Sequence, residues 1–197
     1  MYHTGCCNSA FALGSYFGEV VDSSLKSVKR VSRVTGVVDL LEAEIKNEKL
    51  GYVGNITKIN IAPVTDLLEK GYIPVISTLG CDKNGNTYNI NGDTAAAYIA
   101  GALGARRLIM MTDIAGLLKD KDDPSTLIPE VTVSECEELR KEGIISGGMI
   151  PKIDCCVEAI REGVKNVIIM DGRVPHSILM EILTDEGAGT MVIGEHK

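Results

Sequence analysis

From about residue 52 onward, short aliphatic and β-branched runs alternate with segments whose apolar residues recur at helical spacing. That alternation predicts an α/β protein with a mainly parallel sheet. "NITKINI" (55–61) reads as a strand and "PVTDLLEKG" (63–71) as a helix stopped by Gly71. "YIPVIST" (72–78) reads as a buried strand. Asn84-Gly85 is a strong turn signal and predicts a hairpin between residues 76–81 and 87–91. A helix over Asp93 to Leu103, closed by Gly104, leads into "RLIMMT" (107–112), a continuous apolar run expected of a strand covered on both faces. Thr132-x-x-Glu135 is a capping box that opens a helix ending at Gly143. A glycine-containing loop then feeds a helix through "MIPKIDCCVEAIREG". "VKNVIIMDG" (164–172), "PHSILMEILTDEG" (175–187) and "GTMVIG" (189–194) follow as strand, helix and strand.

The first 35 or so residues depart from this rhythm. They form a Ser/Val-rich, locally basic segment of ambiguous periodicity, to which no fold is assigned.

Within "YNINGDTAA", Asn89, Asn91 and Asp93 occupy alternate positions and point one way if the backbone is extended. Asp93, followed by an alanine-rich run, also suits the N-cap of the helix, so a structural and a functional reading both stand.

The 197 residues are 45% hydrophobic and 24% charged, with a net charge of −7, enough apolar content for a sizeable core and no broad basic surface for nucleic acid or an anionic membrane. No apolar run is long enough to span a bilayer and no charged n-region marks a secretory signal, so a cytoplasmic protein is expected. The six cysteines lack C-x-x-C spacing and only three histidines are present, which argues against zinc and against a disulfide framework.

Two features suggest polyanion chemistry. Gly147-Gly148 precedes a helix that carries Lys152 near its start, pairing backbone N–H donors with an ammonium in a place the helix dipole disfavours unless an anion is near. The chain has neither a Walker A loop nor a G-x-G-x-x-G dinucleotide fingerprint. Thr112 and Asp113 fall just beyond the carboxyl end of a strand, where open α/β sheets bind ligands, although a side-chain-closed turn explains them equally well.

Taken in order, "GYVGNITKIN", "GYIPVIS", "YNINGDTAA", "LIMMTDIAGLL", "GIISGGMIPK" and "DGRVPHSILMEILTDEGAGTM" resemble the amino acid kinase family, and within it the N-acetylglutamate kinases, over about residues 36–194. The resemblance implies a three-layer αβα sandwich and ATP-dependent phosphorylation, with Mg²⁺, of the side-chain carboxylate of N-acetyl-L-glutamate in arginine biosynthesis. It implies that Asn89 binds substrate, that Asp93 organises the catalytic lysines and that Lys152 stabilises the transferring phosphoryl group. Thr112, Asp113, Ile114, Gly116, Leu117 and Leu118 would line the nucleotide, as would Ile144, Ile145, Ser146 and Gly148. Glu186 and Gly187 would be candidates for an arginine effector, as in the arginine-inhibited branch, and a homo-oligomer is expected.

The matching motifs are those of roughly the C-terminal two-thirds of such a kinase. The family's opening lysine strand, its two glycine loops and its substrate arginine have no counterpart, "SRVTGVV" offering Arg33 only as an echo. Residues 36–197 would then be an amino acid kinase-like domain, an incomplete substrate half plus a nucleotide half, behind the unassigned segment 1–35, with little catalysis from this chain alone. A non-catalytic subunit that binds nucleotide or arginine is the alternative.

Overall fold

Apolar runs become strands and amphipathic runs become helices in the order the sequence predicts. The computed structural model describes residues 31–34, 40–185 and 187–195, the first four by backbone alone. The fold is α/β, with helices and strands interleaved as in an αβα sandwich. Its described residues fall into two compact units divided between Ala95 and Ala96.

In the first unit, β1 (Val31–Val34) pairs in parallel with β4 (Ile73–Ile76), Val31 lying opposite Ile73 and Val34 opposite Ile76. β4 was expected to be buried, yet Ile73 is 51% exposed, because among the described residues β4 pairs with β1 alone and does not lie in the middle of a wide sheet. The second sheet runs in the order β3 (Gly54–Ile59), β2 (Leu41–Ile45), β5 (Leu79–Cys81), β6 (Thr87–Asn89). β2 is antiparallel to β3 and parallel to β5, and β5 returns antiparallel into β6. Helix α1 (Ala62–Glu69) starts with Pro63 in its first turn, where a missing N–H costs nothing, and the chain leaves it through Gly71 at φ +75°. Leu40, Leu41, Ala43, Val64, Tyr88 and Ile90 are the buried apolar residues around these strands.

Helix α2 (Gly92–Ala102) crosses from the first unit into the second. The second unit is built on a sheet in the order β7 (Arg107–Thr112), β9 (Asn166–Asp171), β10 (Gly189–Ile193), β8 (Glu130–Thr132). β7 and β9 run parallel with Thr112 opposite Asp171, whereas β10 runs antiparallel to β9 and parallel to β8. Gly189 sits where any side chain is excluded, since a Cβ there would lie 2.1 Å from the Ile169 carbonyl oxygen.

Helix α3 (Val133–Lys141) carries the capping box the sequence announces, Thr132 Oγ1 accepting from the Glu135 amide at 3.2 Å and Glu135 accepting from the Thr132 amide at 2.7 Å. Helix α4 (Met149–Arg161) buries Ile153, Cys156 and Ala159 against Met110, Val167, Ile169 and Val192 of the sheet. Burial also pushes the Cys136 thiol of α3 up to about 11, which makes it a packing residue rather than a nucleophile. Helix α5 (Ser177–Leu183) is shorter than the 175–187 segment predicted, because His176 takes a left-handed conformation at φ 63° and Thr184 an extended one. Among the described residues no helix is long and apolar enough to cross a membrane.

Candidate functional site

The hairpin that delivers Asn89 is set by one carboxylate. Asp82 accepts from the Asn84 and Asn86 amides at 2.9 Å each, from Asn86 Nδ2 at 2.8 Å and from the Tyr88 hydroxyl at 3.0 Å. These bonds, the Asn86 side chain first, hold the Asp82 carboxyl below its ordinary range, while the same carboxylate raises the Tyr88 phenol. With Gly85 at φ +84° the turn closes in the register Leu79 opposite Asn89, and the Asn89 amide donates to the Tyr52 carbonyl at 2.8 Å. Asn89 is therefore the exposed last residue of β6.

The three polar residues do not share one strand face. The strand ends at Asn89, Ile90 is buried, and Asn91 caps α2 by accepting from the Thr94 amide at 3.0 Å and from its hydroxyl at 3.3 Å. Asp93, read from the sequence as the cap, is instead half-buried inside the first helical turn. The offset has a simple cause: a cap serves the amide three residues on, and the chain turns at Ile90, which places Asn91 at the start. Asp93 in the first turn still complements the helix dipole.

In the second unit the nucleotide candidates gather around two adjacent strand ends. Thr112 closes a local turn, accepting from the Ile114 amide at 3.0 Å and donating to the Ile114 carbonyl at 3.2 Å, as the turn reading of this residue supposed. The Gly172 amide donates to the Thr112 carbonyl at 2.8 Å and continues the β7–β9 pairing past both strands. Beyond this turn, Leu117 donates to Thr190 Oγ1 at 2.8 Å and accepts from the Ile128 amide at 2.8 Å, while Leu118 bridges to Leu127. Gly116, at φ +146°, makes that close approach feasible, since a Cβ there would lie 2.5 Å from Thr190 Oγ1. Asp113 is exposed, Ile114 and Leu118 half-buried, and Leu117 buried.

The other nucleotide candidates form the entrance to α4. The Ile144 and Ile145 amides both donate to the Leu139 carbonyl, at 3.0 and 3.1 Å, wrapping the end of α3; Ile145 is buried and Ser146 exposed. The Met149 amide turns back onto the Ser146 carbonyl at 3.1 Å, and Gly148 is the N-cap. Among the described residues this helix start has no side-chain cap and no acid in its first turn. Lys152, the fourth helical residue, is half-buried there. A helix start has positive character, which suits a multiply charged anion.

Two groups escaped the sequence reading. Arg173 donates from Nε to Asp171 Oδ1 at 2.9 Å and from Nη2 to Asp171 Oδ2 at 2.8 Å, and Nη2 also reaches the Asp113 carbonyl at 2.6 Å. The Arg173 side chain, with its backbone amide, holds the Asp171 carboxyl down at about 2. The available signal was D-x-R directly after a strand, within the quoted "DGRVPHSILM". Glu181 is only 7% exposed and accepts from the Ala188 amide at 2.9 Å, close to Gly187 at φ +68°. Glu186, the expected effector carboxylate, lies outside the described residues, so the acid described beside Gly187 is Glu181. Asn89 and Asp93 belong to the first unit; Lys152 and the nucleotide candidates belong to the second.

The model of the Amino acid kinase family matches residues 12–171. This match takes in part of the segment left unassigned from the sequence. A protein named acetylglutamate kinase from Thermosynechococcus vestitus is 50% identical over 159 residues, covering 80% of this chain and 54% of its own length. One from Methanococcus aeolicus is 48% identical over 181 residues, covering 91% and 62%. The chain thus spans little more than half the length of these relatives. Among solved structures, N-acetylglutamate synthase from Neisseria gonorrhoeae in complex with coenzyme A and N-acetyl-glutamate superposes with a TM-score of 0.78 at 28% identity, over 95% of this chain and 42% of that one. Its complex with coenzyme A and L-arginine gives 0.76 over 94% and 44%.

Proposed function

The chain belongs to the amino acid kinase family, and from that premise we propose that it carries the chemistry of an acetylglutamate kinase, the ATP-dependent phosphorylation of the side-chain carboxylate of N-acetyl-L-glutamate. The observation that carries this reading is the identity of about half of all positions, across 159 residues, with a relative bearing that name. The acceptor carboxylate is already ionised at neutral pH, so the reaction needs no general base. Its obstacle is electrostatic, because an anion must approach a triphosphate in line, and the protein's part is positioning and charge neutralisation.

The residues divide that work. Asn89 binds the substrate with a neutral amide that does not repel it. Lys152, at an α4 start lacking an acid, stabilises negative charge on the phosphoryl group as the bond to the β-phosphate oxygen breaks. Asp93 has the role of organising the catalytic lysines, since a carboxylate directed at the anionic nucleophile would repel it. The strand-end loop from Thr112 to Leu118 and the turn from Ile144 to Gly148 cradle the nucleotide.

Mg²⁺ would arrive on the triphosphate and would neutralise part of its charge. Among the described residues no group of three or more His, Cys, Asp or Glu could hold a metal ion by itself. A cytoplasmic location and a homo-oligomer accord with this reading.

The second reading is a subunit that binds nucleotide or arginine without catalysis. Its support is the likeness to a synthase whose solved forms include one with L-arginine, together with the buried Glu181 carboxylate near Gly187. One experiment separates the two. The purified chain is incubated with MgATP, N-acetyl-L-glutamate and hydroxylamine, and acyl phosphate is trapped as hydroxamate. Hydroxamate that requires both substrates supports the kinase. Stabilisation by arginine but not lysine, with no hydroxamate, favours the second reading.

A further inference from the structure

We propose that Arg173 is a positioning residue for the nucleotide: it clamps the end of β9 to the start of the Asp113–Leu118 loop and so fixes the backbone of the loop's near half. The inference rests on the reading of this loop as nucleotide-lining.

The two halves of the loop are secured differently. Its far half is tied by the Leu117 and Leu118 contacts to Thr190, Ile128 and Leu127. In its near half, Asp113 to Ala115, Ile114 packs against the core and turns onto Thr112, and the long-range hydrogen bond among the described residues runs from Arg173 Nη2 to the Asp113 carbonyl. Arg173 can deliver that bond accurately because its fork is already oriented by both oxygens of Asp171, and Asp171 is paired in register with Thr112 across the sheet. The carboxylate aims the guanidinium, and the guanidinium holds the loop.

The energetics separate this role from stability. The Arg173 side chain is 69% exposed, and ion pairs that exposed contribute little to global folding. A loss of Arg173 should therefore loosen the near half of the loop while the fold persists. Lysine is not an equivalent, since one ammonium cannot engage both carboxylate oxygens and a carbonyl in one plane.

The test combines hydrogen exchange of the full chain with calorimetric titration of MgADP, for the unaltered protein, Arg173→Ala and Arg173→Lys. Expected are faster exchange of the Ile114 and Ala115 amides in both variants, about tenfold weaker MgADP binding, no more than a small fall in unfolding midpoint, and partial recovery of affinity in Arg173→Ala on adding millimolar guanidinium. Unchanged exchange and affinity overturn the clamp. So does a drop in midpoint with faster exchange throughout the sheet, which would mark Arg173 as merely structural. If the unaltered chain binds no MgADP, the nucleotide reading itself falls and takes the positioning role with it. The exchange data then still report whether the clamp exists, so the two failures are distinguishable.

Discussion

The Leu117 amide donates to Thr190 Oγ1 at 2.8 Å across 73 residues of chain, and that hydroxyl in turn donates to the Ile128 carbonyl at 2.7 Å. Thr190 is fully buried, so neither backbone group would find water if the hydroxyl were lost. Thr190→Val keeps the shape and removes the hydrogen bonds, and is expected to cost about 1–3 kcal/mol. Thr190→Ser should retain most of the stability. Denaturant unfolding measures both, and a valine variant as stable as the parent would show that the hydroxyl does not hold the loop.

The same contact makes Gly116 irreplaceable. Alanine would have to accept φ +146° and place its Cβ 2.5 Å from Thr190 Oγ1 and 2.9 Å from Leu127 Cδ1. Backbone strain alone is worth about 1–3 kcal/mol. We expect Gly116→Ala to destabilise by at least that much. We also expect its effect to be smaller in a Thr190→Ala background, where the nearest clashing atom is gone. Strict additivity in this double-mutant cycle would contradict the steric account.

How much of this could be read from the sequence depended on how local each interaction is. The Thr132–Glu135 capping box spans three residues, and β7 is one continuous apolar run; both were legible because their causes lie within one window. The choice between Asn91 and Asp93 as cap was not. Both residue types cap well, and what decides is where the chain turns after β6, with Ile90 buried. The exposure of Ile73 depended on how many strands flank β4, which no local pattern states. Arg173 was harder still. Its partner Asp171 is two residues away, but the carbonyl that gives the pair a role is 60 residues away.

Separate duties for the two asparagines give a direct test. Asn91→Ala removes the α2 cap and is expected to cost about 0.5–2 kcal/mol, with Asn91→Ser close to the parent. Asn89 lies on an exposed strand end. Asn89→Ala should shift stability by less than about 0.5 kcal/mol while weakening binding of N-acetyl-L-glutamate. Unfolding curves and substrate titrations on the same samples check both halves, and the reverse pattern would exchange the roles assigned here.

The Asp171 carboxyl gives the chain an acid-sensitive component of defined sign. Its folded-state value is depressed to about 2 by Arg173, so between that value and the ordinary carboxylate range the unfolded chain binds more protons. Stability from this group is complete above the ordinary range and is lost as pH falls toward 2. Asp82 is depressed as well and acts in the same direction. Asp171→Asn should therefore flatten the rise of unfolding free energy with pH in the acid region and leave its slope near neutrality unchanged. A variant whose acid-region slope equals the parent's would mean the Asp171–Arg173 contact does not persist in solution.

Lys152 is the residue on which the proposed chemistry depends most. The α4 start has no acid in its first turn, and the half-buried Lys152 ammonium adds to the positive end of the helix dipole, a setting that favours a bound anion. Charge-assisted hydrogen bonds are worth about 1.5–3 kcal/mol, so Lys152→Ala should weaken MgATP binding by roughly ten- to a hundredfold while the chain still folds. Lys152→Arg should retain part of the affinity, because charge is kept while geometry is not. Calorimetry with MgATP and with MgADP separates contributions from the terminal phosphate. A larger loss for ATP than for ADP assigns Lys152 to the transferring group, and equal affinity of parent and alanine variant for both nucleotides would remove Lys152 from the site.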